Sequence, residues 1–222
     1  MKKVIFGIAA IALGVLVVIR IESVNKNITY PEIKEYGMQE EALIGDNIFM
    51  EDYEKMDGYS VTAEEVELLT YDEFLEKFQY DEEIQGQLYE KDDMVYPEMV
   101  YNVKVKIKNN NKEDDPDKGI DFQNYVVYGE DFQLQISAQL YAVANPDMES
   151  GQMSFRLRPE TEMEFYLPFY FSPSRKVEPL QTEEVLNSKL YLPISLYPEQ
   201  RQIVLENVTV QHPLFKDNIW VA

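Results

Sequence analysis

The chain has 222 residues, 41 acidic against 20 basic, for a formal charge of −21, and no cysteine. Disulfide scaffolds and thiolate chemistry are excluded, and so acidic a chain repels nucleic acid and anionic lipid surfaces. Its apolar content of 45% is enough for a core that needs no covalent staple.

Val4 to Ile19 is a run of sixteen residues without charge or strongly polar side chains, preceded by Lys2 and Lys3. Continued as a helix to Ile21 it spans about 27 Å, close to the roughly 30 Å hydrocarbon core, with Arg20 reaching to the headgroups. The positive-inside rule predicts a cytoplasmic N-terminus and an exported body. Ile19-Arg20-Ile21-Glu22 offers no small-residue cleavage pattern, so residues 1–22 are expected to be an uncleaved signal anchor, a single transmembrane helix, rather than a cleaved signal peptide. Without cysteine there is no lipid attachment at an N-terminal thiol. Residues 1–30 sum to +3, which leaves −24 on residues 31–222.

Residues 23–58 are expected to form a juxtamembrane segment. Tyr30-Pro31 is extended, Met38 to Ile44 suits a helical turn or two, and Asn47 to Met50 a short strand. The extracytoplasmic domain is expected over 59–222. Tyr59 to Leu68 alternates apolar and polar residues, with a phase slip at Glu64-Glu65 that predicts a β-bulge. Thr70 and Glu73 form a capping box opening a short helix with Phe74, Leu75 and Phe78 on its apolar side. Residues 79–94 read as an acidic loop. Met99 to Lys108 is a strand with one buried face and one wet face bearing Lys104, Lys106 and Lys108. Asn109 to Gly119 is a loop.

Phe122 to Tyr128 and Phe132 to Ser137 read as strands joined by Gly129-Glu130-Asp131, and Asn145-Pro146-Asp147 as a turn. Met163 to Phe171 is a strand, Thr182 to Leu186 a turn of helix capped by Thr182, and Leu190 to Leu196 and Gln202 to Val210 are further strands. Pro168 and Pro193 lack the N–H a ladder needs, so their strands should lie at edges or carry bulges. The sum is an all-β fold, an antiparallel immunoglobulin-like β-sandwich with short helical insertions.

Three stretches together carry a resemblance: Tyr59 to Phe78, Val100 to Asn111, and Arg158-Pro159-Glu160-Thr161 leading into an aromatic strand. This arrangement resembles membrane-anchored, immunoglobulin-like extracytoplasmic proteins of Gram-positive bacteria, grouped as families of unknown function. The resemblance covers residues 59–205 and implies location and fold; it carries over no catalytic residue.

Candidate chemistry is sparse. His212, the one histidine, has no nucleophile pattern near it, and one His without Cys does not make a zinc site. Glu162 and Glu164, about 7 Å apart on one side of a strand, have a glycosidase-like separation, but alternating Glu is ordinary on a wet strand face. Asp114 to Asp121 is the one cation-loop candidate, with Asp115, Asp117 and Asp121 as calcium ligands; it departs from EF-hand spacing and reads more simply as a solvated hairpin loop. Sixteen tyrosines offer a sugar-binding face, although aromatic residues also fill half-buried strands. Trp220 suits burial against the domain. Asn27-Ile28-Thr29 and Asn207-Val208-Thr209 match a glycosylation triplet by chance. The expected function is a non-enzymatic cell-envelope binding or adaptor module at the cell membrane, requiring no cofactor and taking an envelope protein or wall component as partner. The alternatives are a carboxylate-dependent enzyme acting on wall glycans and a calcium-stabilised structural module.

Overall fold

The computed structural model describes residues 2–26, 31–50, 54–93, 95–148, 151–176 and 179–210, with side chains of the first helix from residue 13 onward. His212, Trp220 and Asn27-Ile28-Thr29 lie outside the described residues. The chain divides into two units, residues 1–31 and 32–222. The first holds α1, Lys2–Asn25. Among the described residues no helix is long and apolar enough to cross a membrane.

The second unit is built on strands. β1 is Glu32–Tyr36, β2 Ala42–Leu43, β3 Tyr59–Thr70, β4 Met99–Asn109, β5 Ile120–Asp121 and β6 Val126–Tyr128. β7 is Gln133–Ile136, β8 Ser154–Phe155, β9 Glu162–Phe171, β10 Leu190–Ser195, β11 Glu199–Leu205 and β12 Thr209–Val210. Among the described residues four short helices interrupt them: α2 Tyr71–Lys77, α3 Glu82–Gln85, α4 Ala138–Ala144 and α5 Thr182–Asn187. The main sheet runs β1-β11-β10-β6-β7-β9-β4-β3-β12, with β2 also on β3, while β5 and β8 pair apart.

The β-class expectation holds. In place of two separately hydrogen-bonded sheets, however, the strands follow one continuous path, and this sheet curls over its own core. Val61, Val66, Val103, Phe165 and Phe169 from one end share a buried cluster with Leu192, Ile194 and Ile203 from the other. Two pairings are parallel, β1 with β11 and β12 with β3, so the sheet is not wholly antiparallel.

Residues 32–50 correct the expected juxtamembrane boundary. β1 adds to β11, β2 pairs with β3, and Ile48 bridges Tyr197. Tyr36, Ala42, Ile44 and Phe49 are buried. The segment closes the curl: the Gln39 N–H donates to the Ala63 carbonyl at 2.9 Å, and the Arg201 guanidinium donates to the Leu43 carbonyl at 2.5 Å. Met38 to Ile44 therefore contributes a strand rather than helix. Its backbone groups are satisfied between the two ends of the sheet, a tertiary arrangement with no local signature.

Local signals fare better. The register slips between Ala63 and Glu65, where the alternation changes phase. Thr70 and Glu73 form both halves of the capping box on α2. Pro168 departs from expectation: β9 is interior, between β7 and β4, and has no bulge at Pro168. The β7–β9 ladder stops at Ile136 opposite Phe169, so the missing N–H breaks no pairing with β7, and the Pro168 carbonyl accepts from the Ser137 N–H at 3.0 Å. Pro193 marks a bulge against β11. On α5 the cap is Gln181, and Thr182 is already helical.

The outer face of β4 departs from expectation. Val100 and Asn102 are buried, at 0% and 1% exposure. α2 and α4 lie over this part of the sheet, and Phe74, Leu75 and Leu140 pack on Leu69 and Val100 in a second apolar cluster. α4 interrupts the expected strand-to-turn passage because the Ser137 side chain accepts from the Leu140 N–H at 3.1 Å and caps a helix there.

Candidate functional site

The acidic loop does not assemble a cation site. The Asp115 carboxylate accepts from the Asp117 N–H at 3.0 Å, and Asp121 accepts from the Gln123 N–H at 2.8 Å. Asp117 pairs with Lys55 at 3.3 Å, Asp114 with Arg156 at 3.3 Å, and Asp57 with Lys118. Asp117 and Asp121 do border a common cleft of about 360 Å3, but Lys55, Lys118 and Arg156 border it too. Three cations there oppose a divalent ion. Among the described residues no group of three or more acidic side chains is placed to hold a metal.

Glu162 and Glu164 lie on the exposed face of β9. They stand opposite Lys108 and Lys106 on the open sheet. Glu164 is 2.9 Å from Lys104, and that hydrogen bond holds its carboxyl below the usual range. Lys104 is pushed up, chiefly by Glu164, and also reaches Glu64 at 3.2 Å. Lys106 lies 3.5 Å from Glu64. Neither glutamate borders the clefts described here.

The largest concavity described lies farther along the sheet. Tyr128, Gln133, Gln135 and Tyr170 from β6, β7 and β9 line it together with Arg175, Leu180 and Glu184, and its volume is about 1100 Å3. Strand alternation puts these residues on the outer face: Val127, Leu134 and Phe169 point into the core. The pairing is regular, with Tyr128 opposite Gln133 and Gln135 opposite Tyr170. The β6–β7 connection is tight. The Gly129 N–H donates to the Phe132 carbonyl at 2.9 Å, and a Cβ on Gly129 would come within 2.8 Å of the Phe132 ring.

Tyr128 is fixed in place. Its ring stacks on Tyr191 with centroids 5.2 Å apart and 22° between planes. Its hydroxyl donates to Gln202 and accepts from the Gln200 amide at 3.1 Å. Gln202 in turn donates to Glu35 at 3.1 Å, and Lys189 holds Glu35 at 3.2 Å. Burial raises the Tyr128 phenol, so it stays a neutral donor. By contrast, the side-chain amides of Gln133 and Gln135 and the Tyr170 hydroxyl make no hydrogen bond among the described residues.

Sequence reasoning pointed to tyrosines without saying which. Tyr36, Tyr59, Tyr71, Tyr101, Tyr125 and Tyr141 are buried, so these six belong to the core rather than to a binding face. The unused signal was Gln133-Leu134-Gln135-Ile136, a strand whose outward positions carry amides, as Gln200 and Gln202 do on β11.

Residues 33–201 match the family described as a domain of unknown function, DUF5028. The chain belongs to this family. The DUF5028 domain begins within β1, which places residues 33–58 inside the domain, and it includes the whole floor of the cleft. No curated protein matches the chain. A solved structure from Clostridium difficile 630, described as an uncharacterized β-sandwich protein, is 10% identical with a TM-score of 0.36, over 81% of this chain and 99% of that one.

Proposed function

We propose that the chain is a non-enzymatic binding module of the cell envelope. In this reading α1 holds it at the membrane with the N-terminus cytoplasmic, and the DUF5028 domain faces outward towards an envelope protein or wall component. The observation that carries the reading is the character of α1. It is 24 residues long, about 36 Å at helical rise, and reaches the length of a hydrocarbon core of about 30 Å only with the residues before Leu13 counted. Its apolar residues are not confined to one stripe. Leu13, Leu16 and Ile19 are 67%, 63% and 55% exposed, and Val15, Val17 and Val18 between them are exposed as well. A helix apolar on every side is unstable in water and suits lipid. The stretch from Leu13 onward is too short to span alone; residues 4–12 supply the remaining length in sequence.

Binding rather than catalysis is supported by the side chains of the domain. Glu164, Asp115 and Asp121 are occupied by lysine or backbone amides, while the floor of the cleft at β6, β7 and β9 offers the neutral groups of Tyr128, Gln133, Gln135 and Tyr170. A charge of −24 on residues 31–222 disfavours nucleic acid as partner.

Alkaline carbonate extraction of membranes from cells making the full chain tests the anchor, with protease added to intact spheroplasts to test orientation. The expected result is retention in the pellet and digestion of the domain from outside. Release into the carbonate supernatant, or full protection from protease, overturns the reading.

A further inference from the structure

We infer that the cleft floored by Tyr128, Gln133, Gln135 and Tyr170 is a binding site for an uncharged oligosaccharide. The inference rests on the binding-module reading and names the ligand class for it.

The first argument is charge. Of the chain's residues, 27% are charged, and the adjoining part of the same sheet face carries Lys104, Lys106, Lys108, Glu162 and Glu164. The floor of the cleft has none. At the rim Asp131 and Glu184 stand with Arg175, so an anionic ligand would meet two carboxylates against one guanidinium in an acidic domain, and a cationic one would find no carboxylate on the floor. A neutral ligand rich in hydroxyl groups matches what is there.

The second argument is hydrogen-bonding capacity. Each glutamine offers two N–H donors and a carbonyl acceptor, and alternation along β7 sets the two side chains about 7 Å apart on one face. Neither amide is engaged by the protein among the described residues. Sugar hydroxyls both donate and accept, so they can use both ends of each amide.

The third is aromatic placement. Each glutamine stands across the ladder from a tyrosine, which pairs a hydrogen-bonding group with a ring that can receive the C–H face of a sugar. Tyr128 is already immobilised by Tyr191, Gln200 and Gln202, so little ordering is left for binding. A volume of about 1100 Å3 suits several linked rings better than one. An extended peptide fits less well: β7 is hydrogen-bonded on both sides, to β6 and to β9, so the cleft lies on a sheet face and gives a peptide backbone no free edge to join.

The test uses the full chain in a detergent without a sugar headgroup, titrated calorimetrically with chitotetraose, cellotetraose and maltotetraose. The expected result is binding of at least one, insensitive to added salt, weakened about tenfold or more by Tyr170→Ala and by the double change Gln133→Ala, Gln135→Ala, and unaltered by Lys106→Ala on the same face. Thermal melting checks that each variant folds; the exposed glutamines keep the test valid if Tyr170→Ala does not. No heat with any of the three at about 10 mM overturns the proposal. Equal binding by the glutamine double variant, or binding that salt abolishes, overturns it too. Such a failure with α1 still retained by membranes removes the glycan ligand and leaves the envelope-module reading standing, whereas carbonate release strikes that reading alone.

Discussion

The outer face of the sheet changes character between its two open parts. Across β3, β4 and the start of β9, charged side chains answer one another: Lys104 bridges Glu64 and Glu164, and Lys108 lies 3.8 Å from Glu41. Across β6, β7 and the end of β9 the outward side chains are neutral, and those of Gln133, Gln135 and Tyr170 make no hydrogen bond among the described residues. Both parts lie over the same curled core and obey the same alternation, so folding alone does not require the difference. Where polar groups satisfy each other they stabilise the sheet. Where they are left to solvent inside a concavity, they are available to a ligand.

Between these parts the face is covered, and the largest effect is expected there. Phe74→Ala removes a fully buried ring that stands 4.8 Å from Phe78. It should cost about 3–5 kcal/mol in urea denaturation, the usual penalty for a large cavity. A cost below about 1 kcal/mol would mean that α2 is not needed to cover the sheet and that all of this face is effectively open.

Lys104→Met comes next. The Lys104 and Glu64 side chains are 16% and 17% exposed, but Glu164 is 55% exposed. The loss should therefore be on the order of 1 kcal/mol, between that of a surface pair and that of a buried one. Its pH profile is fixed by the two shifts. Glu164 is lowered by Lys104, so its contribution is present above the unfolded carboxyl value and disappears as pH falls through the lower folded one. Lys104 is raised by Glu164, so its contribution is present below the unfolded lysine value and disappears as pH rises through the higher folded one. The difference between wild type and Lys104→Met should form a plateau between roughly pH 5 and 10 and shrink at both ends. A difference independent of pH would point to lost packing of the lysine stem instead.

Much of the fold was legible because its signals are local. The β4 alternation, the slip at Ala63–Glu65 and the Thr70–Glu73 cap each need only a few neighbouring residues. β1 was not legible, since Glu32–Tyr36 has four exposed residues and one buried tyrosine and owes its strand to β11, far along the chain. Burial of Val100 and Asn102 was hidden for a similar reason: α2 and α4, which cover them, leave no mark on the strand itself. The candidate site failed in the opposite way. Asp115, Asp117 and Asp121 are close in sequence, but the fold hands each a separate lysine or amide partner. The cleft draws on β6 and β7, whose connection at Gly129-Glu130-Asp131 was legible, and on β9, whose place beside β7 no spacing rule encodes.

The smallest expected effect is the most discriminating. The double change Gln133→Ala, Gln135→Ala truncates two exposed side chains with no hydrogen bond among the described residues. Alanine is a weaker strand former than a residue that packs on its cross-strand neighbour, so a small loss is expected, within about 0.5 kcal/mol for surface sites of this kind. Thermal melting alongside wild type measures it. A loss above about 1.5 kcal/mol would mean that the amides brace Tyr128 and Tyr170, as Glu64 braces Lys104, and the two open parts of the face would then differ only in chemistry. A negligible loss means that these two positions are free of the fold's demands, which leaves both amides available to the ligand inferred for the cleft.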